Sequence, residues 1–590
     1  MNVKCTGLFV VLGLAPLARG QAPSQIFDPL LPRTSGEFGR AVGLSGSTLA
    51  IASEEWDVAH THLGRILVYE KGVAGTWEYR QELTRQPHFS PANACVECFG
   101  YGIEIVGDSM LVKGSYRTSA CWEFQRSAGV WRPHEQIGPN NAPELGGVGG
   151  MDYDGETLLI GYPDARDAAG QIVPVVRFWE RHGTWTPVAE FRASDVGLLG
   201  YFPSFNWGLT VAISGDHAVV ASPHAGVASN VASGVVSTFR RVNGVWQHEQ
   251  TLRRPIQPDG IHYFGGAVAI DEDWLFVSCY WDVGRVGAIY VYARAANGTW
   301  ELHSKIHPTA NEATSLQSAG FGARLQWVPP TLAVTSANYR VPALAPNTST
   351  GGAGSILLYE LCDGVWDQRV GLTAPLQFGG GGLGLYAAGM SFDGHGIAAG
   401  APFAFSAGQW HAGAAAYIEY TPPTPGPCRE IGRPGCAPYD AETLDCPCGA
   451  VAAPGLGCPN AAGPGARLRL HGYFNEVEVR RAVVDGISPD SLVLLMVGQP
   501  VPSLLPAGQV AGDGVLCITP STARRVGRSD GSGSVTFENV AVPISYSTQL
   551  LGFELPLQAL YRAPLPGPCN ARWNATNAFM LSISTLSYGL

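Results

Sequence analysis

The sequence predicts an all-β fold, a seven-bladed β-propeller of four-stranded blades with a C-terminal β-sandwich, and three observations carry the prediction. Charged residues make up only 14% of the 590-residue chain, while glycines number 75 and prolines 43. That balance suits short strands and tight turns better than long helices, whose exposed faces need charge. Six Gly-Thr-Trp or Gly-Val-Trp triplets end at Trp77, Trp131, Trp185, Trp246, Trp300 and Trp366, 54 to 66 residues apart. Upstream of them a second pair of apolar segments recurs, opened by an aromatic residue and a glycine.

From the amino terminus, Lys4, an apolar run from Leu8 to Ala15 and small residues at Ala18 and Gly20 form the pattern of a secretory signal peptide, residues 1–20, cleaved before Gln21. The run is too short to span a bilayer, and no later segment approaches the roughly eighteen apolar residues a span needs. The mature chain is therefore expected to be secreted, periplasmic or held at the cell surface, without membrane insertion.

Each Trp triplet follows an apolar-aromatic segment such as Ile66-Leu67-Val68-Tyr69-Glu70 or Ala288-Ile289-Tyr290-Val291-Tyr292, which reads as a strand. Asn243-Gly244, Asn297-Gly298 and Asp363-Gly364 lie in the connecting turns. These pairs tolerate positive φ at both hairpin positions, so strand and Trp segment are predicted to pair antiparallel. The upstream pair is clearest in Phe38-Gly39-Arg40-Ala41-Val42 with Leu49-Ala50-Ile51-Ala52-Ser53, and in Phe264-Gly265-Gly266-Ala267-Val268 with Leu275-Phe276-Val277-Ser278. Further pairs open at Phe99-Gly100, Trp207-Gly208 and Phe321-Gly322, with degenerate versions from Gly147 to Asp154 and at Leu383-Gly384, which makes seven units. A four-stranded unit that is apolar on both faces cannot bury itself, and a ring of such units solves that. The seventh unit ends at Pro422-Pro423 without a Trp strand, so Ile26-Phe27-Asp28-Pro29-Leu30-Leu31 is expected to supply its fourth strand and remove an open edge.

The Phe-Gly openings and the Gly400-Ala401-Pro402 ending resemble FG-GAP repeats, found in integrin α-subunit propellers and in many secreted bacterial proteins. The resemblance covers residues 25 to 421 and implies the fold; it does not imply an activity, because one architecture hosts unrelated functions. The propeller is accordingly placed at residues 21–421.

After Thr421 the composition turns to Pro, Gly and Cys, and residues 422–465 read as a disulfide-stapled linker carrying Cys428, Cys436, Cys446, Cys448 and Cys458. Residues 466–590 alternate apolar and polar positions without helical periodicity, as a β-sandwich does. Cys446-Pro447-Cys448, Cys458-Pro459-Asn460, Asp513-Gly514-Val515-Leu516-Cys517, Tyr561-Arg562-Ala563-Pro564 and Asn574-Ala575-Thr576-Asn577 resemble a C-terminal module of secreted planctomycete-type bacterial proteins. Signal removal takes Cys5 and leaves twelve of the 13 cysteines. In an oxidising compartment Cys95, Cys98, Cys121, the five linker cysteines, Cys517 and Cys569 are disulfide candidates, with at most one bridge among Cys95, Cys98 and Cys121. Cys279, inside a strand, suits a buried free thiol.

Net charge of −11 without a basic run removes the footprint that nucleic acid or an anionic membrane needs. Asp152-Tyr153-Asp154-Gly155 and Asp271-Glu272-Asp273 are too short for calcium loops and read as turns. Cys446-Pro447-Cys448 is too tight for a zinc knuckle, and His134-Glu135 and His248-Glu249 lack a second histidine. No metal or cofactor is expected. Gly527-Arg528-Ser529-Asp530-Gly531 matches a nucleophile elbow in letters only, since it lies in a polar turn.

The remaining candidate is a face formed by loops between second and third strands, rich in aromatics beside polar groups: Trp56, Asp57 and His60; Tyr162; Tyr280, Trp281 and Asp282; Tyr339 and Arg340; Trp410 and His411. Such surfaces suit glycans or protein partners. The plain alternative is that these rings cover the loop cores. The expectation is a monomeric, non-catalytic, adhesion-like binding protein with a glycan or protein ligand. The alternative is a polysaccharide hydrolase or lyase, which carboxylates or histidines converging in the central funnel would favour and a funnel of Gly, Ala and Val would oppose.

Overall fold

Antiparallel pairing begins where the triplets predicted it. A computed structural model describes residues 24–29, 37–53, 64–84, 99–114, 119–138, 142, 144–198, 206–225, 233–255, 262–279, 281–282, 287–306, 320–336, 354–362, 365–373, 389–404, 412–420, 433–434, 458–460, 462–475, 478–500, 509–511, 514–516, 518–541, 553–562 and 573–583. The first sheet is Val42–Ser45, Thr48–Ser53, Arg65–Lys71 and Trp77–Leu83, each strand hydrogen-bonded to the next. Six further four-stranded antiparallel sheets follow, giving seven among the described residues. The chain is all-β and propeller-like: the innermost strand of each sheet packs on that of the next, and the seventh returns to the first.

Closure is made by the amino terminus. Gln25–Phe27 pairs with Ala414–Glu419, Ile26 opposite Ala416, and becomes the fourth strand of the seventh sheet. Gln25 also takes the role that outer-strand residues hold elsewhere. Its amide donates to Trp77 O at 2.8 Å and accepts from Trp77 N at 2.7 Å. Gln81 does the same to Trp131, and Gln250 to Trp300.

The recurring Phe-Gly has a steric cause. Phe38, Phe99, Trp207, Phe264 and Phe321 are fully buried, and the glycine after each has φ between +82° and +94°. At Gly39 a Cβ would stand 2.3 Å from Ala414 O and 3.0 Å from Gly400 Cα. Both the left-handed backbone and the close approach of the preceding sheet therefore demand glycine.

The hairpin turns divide. Asn243 and Gly244 both have positive φ, as predicted, and Ala128 and Gly129 adopt the same turn without a sequence signal for it. At Asn297-Gly298 only the glycine does, because Ala295 and Thr299 close a longer turn over the Asn297 side chain. Asp363-Gly364 lies outside the described residues.

The C-terminal part holds a five-stranded sheet ordered Arg433–Pro434, Trp573–Ile583, Phe553–Arg562, Leu492–Pro500 and Ile518–Arg528, and a three-stranded one of Arg467–Asn475, Glu478–Asp485 and Val535–Ala541. Gly527 lies against Val535 and Phe537 of the smaller sheet. The module motifs meet here: the Asn574 amide donates to Cys458 O and Pro459 O at 3.2 and 3.1 Å, and Asn460 donates to Tyr561 Oη at 2.7 Å. Cys458 is buried and disulfide-bonded. Cys121 corrects its candidacy for a bridge: its thiol is free and fully buried in the core, where desolvation pushes it up to about 12. Cys279 is likewise free and buried. The other cysteine candidates, Cys95, Cys98, Cys428, Cys436, Cys446, Cys448, Cys517 and Cys569, lie outside the described residues.

Candidate functional site

The innermost strands Val42–Ser45, Phe99–Val106, Met151–Tyr153, Thr210–Ser214, Phe264–Ile270, Phe321–Val328 and Met390–Phe392 surround a central channel of about 500 Å³. Their register with the second strands places Gly43, Glu104, Asp152, Ala212, Ala269, Gln326 and Ser391 at equivalent positions. Three of these side chains accept from the backbone of the next sheet. Asp152 Oδ2 accepts from Ile213 N at 2.7 Å, Gln326 Oε1 from Phe392 N at 2.8 Å and Ser391 Oγ from Leu44 N at 3.0 Å. Glu104 holds the same register, but the corresponding Tyr153 N–H donates to Asp152 Oδ1 at 3.0 Å. The Glu104 side chain makes no hydrogen bond among the described residues.

Around Glu104 stand Asp152, Lys113 and Arg324. Lys113 reaches the channel from a second strand because Gly102 has no Cβ to block its methylenes, which lie 2.9 Å from where that atom would be. Its ammonium donates to Gly149 O. Arg324 leaves its buried Nε without an acceptor. All four groups keep some accessible surface, Glu104, Asp152 and Arg324 along the channel and Lys113 along a smaller cavity that Glu104 and Arg324 also line. Burial, then Asp152, pushes the Glu104 carboxyl up to about 8. Burial likewise raises Asp152 to about 6 and lowers Lys113 to about 8 and Arg324 to about 10. At neutral pH Glu104 holds a proton while both cations keep theirs.

Three acidic turns rim the channel, and they are turns, not cation loops. Asp154 Oδ1 caps its own turn at Glu156 N and Thr157 N, and Oδ2 accepts from Gly215 N of the next sheet at 2.9 Å. Asp393 does this with His395, Gly396 and Gly46, and Asp271 with Asp273, Trp274 and the indole of Trp327. At the outer perimeter Glu123, His134 and Glu135 bring ligand atoms within 4.8 Å of one another. Arg181 occupies Glu123 at 2.9 Å and His134 at 2.5 Å, and Trp185 donates to both glutamates. The guanidinium fills the place a cation would need.

Of the residues predicted to bind ligand, Tyr162 is fully buried, its hydroxyl donating to Ser119 O at 3.3 Å. It offers no binding surface, which corrects that expectation. Asp282 is corrected for the same reason. It is wholly buried, paired with Arg254 at 3.0 Å and Lys305 at 2.6 Å and accepting from Tyr290 Oη at 2.7 Å. Burial raises its carboxyl, but Lys305, Arg254 and Tyr290 outweigh that and hold it at about 2. Trp281 is half-buried and meets Tyr263 edge to face at 4.8 Å. Trp56, Asp57, His60, Tyr280, Tyr339, Arg340, Trp410 and His411 lie outside the described residues.

The channel groups Glu104, Lys113 and Arg324 were missed from sequence. The signal for them was a charged residue inside a buried strand, the inner one for Glu104 and Arg324 and the second one for Lys113, visible only once the seven units are aligned by register.

No protein-family model and no curated protein matches this chain. Among solved structures it is similar to Sqt1 of Saccharomyces cerevisiae, with 9% identity and a TM-score of 0.39, covering 68% of this chain and 99% of that one. A chain of the mitotic checkpoint complex gives 10% identity and a TM-score of 0.41 over 71% and 99%. The periplasmic gluconolactonase PpgL of Pseudomonas aeruginosa gives 12% and 0.34 over 56% and 85%. At these scores the likenesses carry no weight on function, and the architecture rests on the strand pairing.

Proposed function

We propose that this chain is an exported, non-catalytic, adhesion-like binding protein: a seven-bladed FG-GAP propeller over 21–421, a stapled linker over 422–465 and a β-sandwich over 466–590, acting as a monomer outside the cytoplasm. Its ligand, a glycan or a protein segment, presents a polar group to the central channel. One observation carries this reading. In a channel built by repetition, the ionisable side chains Glu104, Lys113 and Arg324 gather at one place, and the Glu104 and Arg324 side chains make no hydrogen bond among the described residues. Enclosed ionisable side chains that lack a hydrogen-bond partner cost stability, so their presence here points to a ligand.

The enzyme reading is favoured by a different feature: two carboxyls, Glu104 and Asp152, converge with their proton affinities pushed apart, as a general acid and base need. Both readings are tested by exposing the full secreted chain and its Glu104→Gln variant to a glycan array and to cell-wall fractions. Retention that the variant weakens supports binding at the channel. Release of sugar fragments by the wild type, lost in the variant, establishes the enzyme instead. Retention indifferent to Glu104 moves the site to the loop face, and no retention on either support refutes the binding function.

A further inference from the structure

Beneath the main channel a smaller cavity of about 50 Å³ lies among Gly102, Glu104, Lys113, Gly150, Thr210 and Arg324. One water needs roughly 10–15 Å³ on this measure, so there is room for about three to five heavy atoms. That is the size of one carboxylate, sulfate or phosphate group.

What surrounds it are donors. Four other half-buried or buried arginines of the sheets are committed to carboxylates: Arg126 to Glu70, Arg181 to Glu123, Arg241 to Glu180 and Arg254 to Asp282. Arg324 makes no such pair among the described residues, and its Nε is buried without an acceptor. Lys113 spends one donor on Gly149 O and keeps two. Asp152, the acceptor that might have satisfied them, is held by Ile213 N and Tyr153 N. Protonated Glu104 adds an O–H, so three side chains can donate into this space.

We infer that the floor of the channel receives one oxyanion of an acidic glycan, held by the Arg324 guanidinium and the Lys113 ammonium beside Glu104. This deepens the channel-binding reading and rests on it. A planar guanidinium matches a carboxylate or sulfate through paired hydrogen bonds. The charged and titratable groups bearing on the site are Asp152 and its neighbour Asp154, Lys113 with Arg40 and Cys121 behind it, and Arg324. Raising the pH past about 8 ionises Glu104 and discharges Lys113, so the oxyanion loses a donor, loses a cation and gains a repelling charge.

The test is calorimetric titration of the full secreted chain with trigalacturonate, its neutral methyl ester and a sulfated trisaccharide. At pH 6 the acid should bind at least about tenfold tighter than the ester. The preference should collapse at pH 9 and in Arg324→Met, and Glu104→Gln should retain more of it at pH 9. Tighter binding of the sulfated sugar than of the uronate identifies the oxyanion's source and upholds the site. Equal binding of acid and ester, a comparison needing no variant, overturns the oxyanion inference while leaving the channel reading intact. Absence of binding by all three oligosaccharides refutes the inference, and retention on the glycan array then separates this failure from that of the channel reading.

Discussion

The outer perimeter and the central channel of this ring are built from different strands of the same sheets by opposite rules. At the perimeter charges recur and are neutralised: Lys71 pairs with Glu419 of the preceding sheet, Arg126 with Glu70, Arg181 with Glu123 and Arg241 with Glu180. The guanidiniums of Arg126 and Arg241 lie 5.5 Å from the ring centres of Trp131 and Trp246. Each interface repeats because each solves the same problem, the docking of one sheet on the next. In the channel the backbone-capping aspartates recur but Lys113 and Arg324 do not, and the Glu104 and Arg324 side chains make no hydrogen bond among the described residues. Repetition marks what the fold needs, and a departure from it inside a buried strand marks what the fold tolerates for another purpose.

The comparison breaks if perimeter and channel substitutions change stability in the same direction. The largest loss belongs to closure: Phe27→Ala, at a ring buried 4.8 Å from Tyr69, should cost about 3–5 kcal/mol in denaturant unfolding and lower cooperativity. Glu123→Ala removes a buried carboxylate that accepts from Arg181, Ser109 and the Trp185 indole, and should cost about 3 kcal/mol.

Asp282 sharpens the contrast through pH. Its folded carboxyl lies below the ordinary value, so its stabilisation is present above pH 4 and lost as pH falls toward about 2. Acid unfolding curves of the wild type should show a loss on the order of 2 kcal/mol across that window, and Asp282→Asn should flatten it. Glu104 has the opposite sign. Its folded carboxyl lies above the ordinary value, so wild-type stability falls as pH rises toward about 8. Glu104→Gln should therefore stabilise the protein at pH 9 by about 1–2 kcal/mol, moderated by water in the channel, and change little at pH 4. The smallest effect is expected at Gln81→Ala, where loss of the paired amide bonds to Trp131, on a partly exposed side chain, costs about 1 kcal/mol. Stabilisation by a perimeter variant, or loss from Glu104→Gln at pH 9, would end the distinction.

The sequence by itself determined the strand pairing, the spacing of the sheets and the amino-terminal closure. These follow from periodic burial and from local backbone demands such as the left-handed Gly39, which act over a few residues and leave marks at fixed intervals. Only the tertiary structure decided the site. Glu104 and Arg324 lie 220 positions apart in the numbering, and neither stands in a motif. That they share one channel, that Tyr162 and Asp282 are interior, and that Cys121 is a free thiol depend on which sheet faces which across the ring. Such facings are set by the summed packing of all the sheets, and no local pattern encodes them.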